Sequence, residues 1–534
     1  MERLKESKMY FFKSYLVAAI SILMLVSCGK DKNGNEEPDN TDTIQPVAEG
    51  HYRNPITVEL EDDAIGGEGI ADPSVFRWMG KYYLMTTQYY KNIGYDGFKV
   101  WESDNLVDWN YKRTIDVQGF VWDVLWAPEM YYYRGDFYIY LSGPGGKMAV
   151  WKYDVPQNVV NPEPFGDEAV WTAVTHDFLQ LSDHSIDGSI LIEPNGDKYA
   201  FFSGLLGVKY RMINSMDDGN GGPVTQLGQC SVNNINIQPG SVGTVGWTES
   251  PTTFKYNGKY YLTYTGNHYL RPDYQIHLAV GNSLDDLTPI SDNPWISQTY
   301  GDWTGTGNCY PILGPNLKDY YYSYHAKEGG RISGAEGIHR KLMIDKVEFT
   351  AETIETDAPT FDDRKIPGAA DFEVDFSNDI SGFTIEGDAS WNARAGFAVR
   401  ADASDLSRLI SDVSTQDNFI AEANMKIVDV KSEASRVGFV HGNNLIVGLE
   451  YSDSTNRIFI YDTKDNYTFY NLPDDFKVTE WIDLRIIKSG LELKVFVNNV
   501  EVINKLVDNF TGDKIGYMAE NCIADVAWLA FSNQ

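Results

Sequence analysis

From about residue 50 onward the chain alternates short, aromatic-rich apolar runs with tight turns, and long stretches of helical period are absent. Runs of this kind, bounded by Gly, Lys, Asn and Asp, read as β-strands. One unit recurs: turn, aromatic strand, loop, second strand. Its copies are Gly80-Lys81-Tyr82-Tyr83-Leu84, Gly135-Asp136-Phe137-Tyr138-Ile139, Gly196-Asp197-Lys198-Tyr199-Ala200, Gly258-Lys259-Tyr260-Tyr261-Leu262 and Lys318-Asp319-Tyr320-Tyr321-Tyr322, about 55 to 62 residues apart. Partner strands follow, among them Lys99-Val100-Trp101-Glu102-Ser103, Ala149-Val150-Trp151-Lys152-Tyr153 and Ile276-His277-Leu278-Ala279-Val280. A repeat of this length built from several strands predicts one blade of a β-propeller per copy. Five copies predict five blades over residues 49–358, with ligands expected where the innermost strands converge on the channel mouth.

Residues 359–370, which carry Pro359, Pro367 and many charges, mark a boundary. Beyond it the pattern changes. Alternating strands are predicted at 419–428, 436–440, 445–451, 457–461 and 481–487, then a hairpin of 491–497 and 500–503 around Asn498-Asn499, and a last strand at 526–531. The Asn pair suits a two-residue turn that needs positive φ. Residues 371–534 are therefore expected to form a jelly-roll or laminin-G-like sandwich, with Trp481 and Trp528 in its core. The fold class expected is all-β, a five-bladed propeller followed by a β-sandwich.

The N-terminus reads differently. Lys5, Lys8 and Lys13 precede an apolar run from Leu16 to Val26, too short to span a bilayer well, which ends in Leu25-Val26-Ser27-Cys28. That ending resembles the lipobox of bacterial lipoproteins. The resemblance implies a signal peptide over residues 1–28, lipidation of Cys28, and a bacterial outer-membrane location facing the cell surface or the periplasm. Residues 29–48 are polar and read as a flexible tether.

Charge narrows the partners. Forty-four Lys and Arg against 76 Asp and Glu give a net charge of −32, so the basic footprint of a nucleic-acid binder is missing. Aromatics make up 13% of the chain, compatible with sugar-stacking surfaces and equally with strand packing. With Cys28 assigned to the anchor, Cys230, Cys309 and Cys522 remain, an odd number without a CxxC spacing. That argues against a zinc site or a disulfide framework, although Cys230 and Cys309 could pair.

Three acids stand at blade entries. Asp72 lies in Gly69-Ile70-Ala71-Asp72-Pro73-Ser74, Asp187 in Ser185-Ile186-Asp187-Gly188-Ser189, and Glu249 in Trp247-Thr248-Glu249-Ser250-Pro251. Each precedes the turn of its repeat by about nine residues. Equivalent positions of different blades point to one axis, so three carboxylates remote in sequence are expected to meet at one mouth. Clustered like charges raise at least one carboxyl pKa, which an acid catalyst at neutral pH requires.

Ala71-Asp72-Pro73, Trp126-Ala127-Pro128-Glu129, Ile186-Asp187-Gly188-Ser189, Thr248-Glu249-Ser250-Pro251, Gly305-Thr306-Gly307-Asn308 and Tyr324-His325-Ala326, in this order, resemble glycoside hydrolase family 43 over about residues 50–350. The resemblance implies a five-bladed propeller and an inverting glycosidase acting on α-L-arabinofuranosyl or β-xylosyl groups of poly- or oligosaccharides. A galactofuranosidase or galactanase of the same fold is the alternative. Asp72 matches the general base, Glu249 the general acid, and Asp187 the third carboxylate that tunes the acid. An inverting pair stands about 6.5 to 9.5 Å apart, leaving room for water. Trp126 matches a pocket-wall aromatic, and the substrate-binding set is completed by Glu129 (or an inter-blade polar role), Asn308 and Arg340 (or a solvated strand charge). His325 matches a histidine near the axis that faces a calcium ion or a water cluster. Asn308 departs from the His found there in many relatives, which bears on that axial ion. No cofactor is required under this reading, calcium being the one candidate ion, and a monomer is expected. A non-catalytic glycan-binding lipoprotein is the competing class; a pure binder has no need of all three acids.

Overall fold

The computed structural model describes residues 47–534 apart from 60–68, 91–96, 183, 205–206, 228–247, 270–271, 292–294, 297–298, 301–302, 329–338, 378, 395–397, 443, 463–466 and 508–511. The leader, Cys28, most of the tether, Cys230 and Trp247 lie outside the described residues.

Five antiparallel sheets form the first part, with strands in chain order except that Gln88–Tyr89 leaves the first blade to pair with Val124–Tyr133 of the second. Their innermost strands are Ser74–Trp78, Val124–Tyr133, Ile186–Ile192, Thr248–Tyr256 and Trp303–Leu313. Each runs into a tight turn and pairs with a second strand: Lys81–Met85, Asp136–Gly143, Lys198–Gly204, Lys259–Gly266 and Tyr320–Glu328. The predicted five-bladed propeller is therefore present, with the turns where the repeat placed them. Residues near its start close the ring on the fifth blade: the Ile56 and Ile70 amides donate to the carbonyls of Leu342 and Arg340, both at 2.8 Å.

Second strands in the blades are covered on both sides by adjacent blades, so they read as continuous apolar runs rather than alternating ones. Rings fill the space between blades. Trp101, Trp151, Trp171, Tyr82, Tyr83, Tyr140, Tyr261 and Tyr322 are almost wholly buried. Burying each large apolar side chain contributes about 1.5 to 3 kcal/mol. Much of the aromatic content is thus accounted for by inter-blade packing, not by sugar contact.

The second part is a sandwich. One sheet is ordered Ser390–Arg394, Ala398–Ala403, Cys522–Asn533, Phe419–Val430, Ile482–Ser489, Glu492–Val497, Val500–Leu506, with Phe372–Val374 also paired to Cys522–Asn533. The other contains Phe383–Glu386, Ser407–Ser414, Lys514–Glu520, Ser435–His441, Leu445–Ser452, Thr455–Tyr461 and Tyr467–Asn471. Their inner faces share one apolar core, including Phe419, Phe439, Leu449, Ile486 and Tyr517. Asn498 and Asn499 both take positive φ (48° and 66°) at the hairpin turn, as their residue types required.

The segment between the two parts is not free chain. Arg364–Lys365 pairs with His51–Tyr52, and the Thr360 hydroxyl bonds Asp345. The sandwich docks on the turn end of the blades. A Cβ on Gly80 would fall 2.4 Å from the Trp528 ring, so only glycine admits that contact. Tyr132 donates to the Trp481 carbonyl at 2.6 Å, and Arg77 pairs with Glu422 at 2.6 Å with both side chains largely buried. Trp481 and Trp528 are indeed buried, but against the propeller (Trp481 with Trp78 and Tyr132, Trp528 with Met79 and Leu313). The Gly80 turn lies eight residues along the strand from Asp72. At roughly 3.3 Å per residue this places the sandwich about 25 Å from the carboxylate end.

Candidate active site

Each innermost strand is interrupted at its entry. Asp72, Ala127, Asp187, Ser250 and Asn308 all have positive φ, between 42° and 55°, one in each blade. In four blades the pairing register shifts at that point: between Trp126 and Glu129, Ile186 and Ser189, Glu249 and Thr252, and Gly307 and Tyr310. Such bulges re-aim side chains, and a left-handed non-glycine residue persists only where its surroundings hold it.

Here the amide of the kinked residue reaches into the preceding blade. Ala127 donates to Thr87 Oγ1 (2.9 Å), Asp187 to Ser142 Oγ (2.6 Å), Asn308 to Thr265 Oγ1 (3.2 Å) and Asp72 to His325 Nδ1 (3.2 Å). The fourth blade breaks the pattern. Ser250 donates instead to Asp187 Oδ2 (3.1 Å from N, 3.4 Å from Oγ), and Ser203 Oγ has no partner among the described residues. Asp187 therefore fixes the backbone immediately after Glu249. The register also corrects the expectation that the three acids are equivalent. Asp72 and Asp187 occupy the kinked position itself, whereas Glu249 stands one residue before it.

The three acids have different surroundings. Asp72 accepts from Thr87 Oγ1 at 2.5 Å and pairs with Arg340 Nη1 at 3.3 Å. Asp187 is buried, and its pKa is raised well above the usual carboxylate range by that burial, then by Glu249 and Asp72. Glu249 Oε2 accepts from the Tyr274 hydroxyl at 2.8 Å. Mutual influence of Asp187 with Glu249 and Asp72 brings all three acids into one electrostatic cluster, as the spacing predicted.

Trp126 is partly exposed at the entry of the second blade, opposite Ser142 in the register. Glu129 lies further along the same strand, bonded to the Tyr131 hydroxyl and Ser189 Oγ, and burial pushes its carboxyl up to about 8. It lines a chamber of about 280 Å3 that runs from the innermost strands (Ser74, Thr252, Tyr310) to Arg77, Glu422, Asp483 and Arg485 at the sandwich. None of Asp72, Asp187 and Glu249 lines that chamber. The bonds of Glu129 to Tyr131 on its own strand and to Ser189 of the third blade fit its inter-blade alternative. Asn308 is fully buried with both amide atoms lacking a partner among the described residues, which corrects its expected substrate contact: a side chain without surface does not meet a sugar. Arg340 is 6% exposed and pairs with Asp72, so it is no solvated strand charge.

His325 is fully buried, and burial, then Arg340 and Lys327, lowers its pKa well below the ordinary value. Burial therefore favours the neutral imidazole. Nδ1 accepts the Asp72 amide, so the proton belongs on Nε2, which has no partner among the described residues. A buried N–H wants an acceptor such as water, not a cation, and these residues do not fit calcium ligation at Nε2. Among the described residues no group of three or more His, Cys, Asp and Glu side chains could hold a metal. Cys309 is a free, buried thiol.

Sequence reasoning missed Thr87, Ser142, Tyr274 and Lys327. Lys327, two residues after His325 on the same strand, bonds the Tyr269 carbonyl, and burial, then Arg340, lowers its pKa to about 7. Period-two alternation from His325 was the available signal for Lys327; the others have none.

The profile described as "Glycosyl hydrolases family 43" matches residues 65–354, more than half of the chain. The protein belongs to glycosyl hydrolase family 43. As a member it is a glycosidase, and its substrate is a carbohydrate. Solved structures similar to this family 43 protein include BlXynB of Bacillus licheniformis (16% identity, 90% of this chain and 99% of that one, TM-score 0.44). A thermostable family-43 glycoside hydrolase is 24% identical (60% of this chain, 99% of that one, TM-score 0.47). A xylan beta-1,4-xylosidase from Bacillus halodurans C-125 is 16% identical (90% and 99%, TM-score 0.42). A search of curated protein sequences found no match.

Proposed function

We propose that this family 43 protein is an inverting glycosidase that releases α-L-arabinofuranosyl or β-xylosyl residues from chain ends. The observation that supports this best is three acids in three environments: Asp72 held by a hydroxyl and a guanidinium, Asp187 buried and proton-seeking, Glu249 bonded by a phenol. Asp72 takes a proton from water as the water oxygen bonds to the anomeric carbon. Glu249 gives its proton to the glycosidic oxygen as the bond from that carbon breaks. One sugar hemiacetal of inverted configuration and one alcohol result, and the two carboxyls have exchanged roles as proton carriers. Asp187 acts on the acid twice, by charge and through Ser250.

The test is hydrolysis of 4-nitrophenyl α-L-arabinofuranoside, β-D-xyloside and β-D-galactofuranoside, with proton NMR of the first-formed anomer. Turnover of one pentoside with inversion, abolished in Asp72→Ala, is expected. Retention refutes the mechanism, and galactofuranoside turnover alone refutes the sugar. Silence on all three and on xylo- and arabino-oligosaccharides, with glycan binding intact, favours the non-catalytic class. A lipid-anchored location through Cys28 belongs to the same proposal; labelling with a fatty-acid analogue, lost in Cys28→Ser, tests it.

A further inference from the structure

Tyr274 stands just before the strand Gln275–Gly281 in the fourth blade and is 1% exposed. Its hydroxyl donates to Glu249 Oε2 at 2.8 Å. The ring is held on several sides. It stacks on His325 with centroids 6.0 Å apart and planes at 15°, and Lys327 Nζ lies 5.0 Å from its centroid. Gly307 leaves the space it fills: a Cβ there would fall 2.1 Å from Tyr274 Cε1 and 2.9 Å from His325 Nε2. The same His325 accepts the Asp72 amide on its other nitrogen. A single clamped ring thus joins the blade that carries Glu249 to the residue that braces Asp72.

We propose that Tyr274 is a positioning residue that fixes which oxygen of Glu249 carries the transferable proton. This rests on Glu249 being the general acid. A donor on Oε2 makes that oxygen the acceptor and favours the proton on Oε1, which presents it to the glycosidic oxygen. As that proton departs, the carboxyl becomes an anion, and the bond from Tyr274 becomes charge-assisted and stronger. Interactions that strengthen during the reaction accelerate it. The advantage depends on how much proton transfer the leaving group needs.

Among the described residues, the charged and titratable groups near Glu249 include Asp187 from the third blade, Asp72 from the first, and Lys327 and Arg340 from the fifth, with Asp273 beside Lys327. All of them survive in Tyr274→Phe, which removes only the donor. The experiment compares wild type, Tyr274→Phe and Glu249→Gln on 2,4-dinitrophenyl β-D-xyloside and xylobiose, and on the corresponding arabinofuranosides. Tyr274→Phe is expected to lose about 10- to 100-fold in kcat on the disaccharide, the range of a hydrogen bond to a charged group. It should change little on the dinitrophenyl glycoside and leave KM within about threefold on both. Equal loss on both substrates, or none, overturns the role of Tyr274. A Glu249→Gln variant without leaving-group dependence overturns the acid assignment instead. A second readout needs no turnover: the NMR titration of carboxyl-labelled Glu249, assigned with Glu249→Gln, should move to higher pH in Tyr274→Phe. An unchanged titration overturns the proposal even for a protein that hydrolyses none of these sugars.

Discussion

The Arg77–Glu422 pair, far from the carboxylates, gives the sharpest test of how the two parts are joined. Arg77 reaches from the first blade to Glu422 in the sandwich at 2.6 Å, with side-chain exposures of 11% and 2%. Asp483 lies in the same chamber, its carboxyl pushed up to about 8 by burial and then by Glu422, while Arg77 and Arg485 pull the other way. Replacing Arg77 by Met keeps most of the stem and removes the charge. Two unit charges 2.6 Å apart at an effective dielectric near 20 attract by about 6 kcal/mol before the cost of desolvation, and breaking a buried pair by deleting one partner costs about 3 to 5 kcal/mol. The second figure already includes the desolvation that offsets part of the attraction, so Arg77→Met should destabilise by about 3 to 5 kcal/mol at pH 7. The penalty must depend on pH. Without Arg77, Asp483 loses one of the two guanidiniums that draw its carboxyl down, so it holds its proton in the folded state over a pH range in which the unfolded chain has released it. The folded state then binds more protons, and stability falls as pH rises. Calorimetric midpoints at pH 5 and 8 should therefore show a larger gap from wild type at pH 8. The double variant Arg77→Met with Glu422→Leu should recover most of the loss at both pH values, because no buried charge is stranded. Hydrolysis at 25 °C should be unchanged in every variant. A penalty independent of pH, or a double variant no better than the single, would refute this account of the interface.

Asp187→Asn keeps an oxygen for the Ser250 amide but removes the charge; kcat/KM on a pentose disaccharide should drop by about 100-fold or more, with the circular dichroism spectrum unchanged. Glu129→Gln keeps the polar contacts of a neutral side chain. Because the folded carboxyl of Glu129 is raised to about 8, its stabilising contribution is full below about pH 4.3 and is lost as pH rises through 8. Wild type should therefore lose thermal midpoint relative to Glu129→Gln between pH 5 and 8.5, and parallel curves would contradict the burial argument. Gly307→Ala pushes a methyl into Tyr274 and His325, so kcat should fall more than 10-fold with a smaller change in thermal midpoint than Arg77→Met produces.

Repeat, fold class and the acid triad were legible in the chain because each is carried by local signals. Strand alternation and the turn glycines are set by backbone sterics at each position, and a repeat of strands implies stacked blades whatever the details. Asp72, Asp187 and Glu249 could be singled out because each sits about nine residues before its turn. The one-residue offset of Glu249 could not be read there, since it depends on which residue takes the left-handed kink when the pairing slips.

Sequence alone also determined that Trp481 and Trp528 would be buried, because large apolar rings avoid water wherever they fall. Only the tertiary structure decided that they bury against the propeller, and that the sandwich lies about 25 Å along the strands from the acids. Burial is a property of the residue, whereas a partner is a property of the packing. The same division runs through the site. The kinds of acid were written in the chain, but Thr87 on Asp72, Ser250 on Asp187 and Tyr274 on Glu249 span gaps of 15 to 63 residues. Contacts closed over such loops leave no local periodicity, and it is these contacts, not the acids' own sequence neighbours, that give three similar carboxyls three different environments.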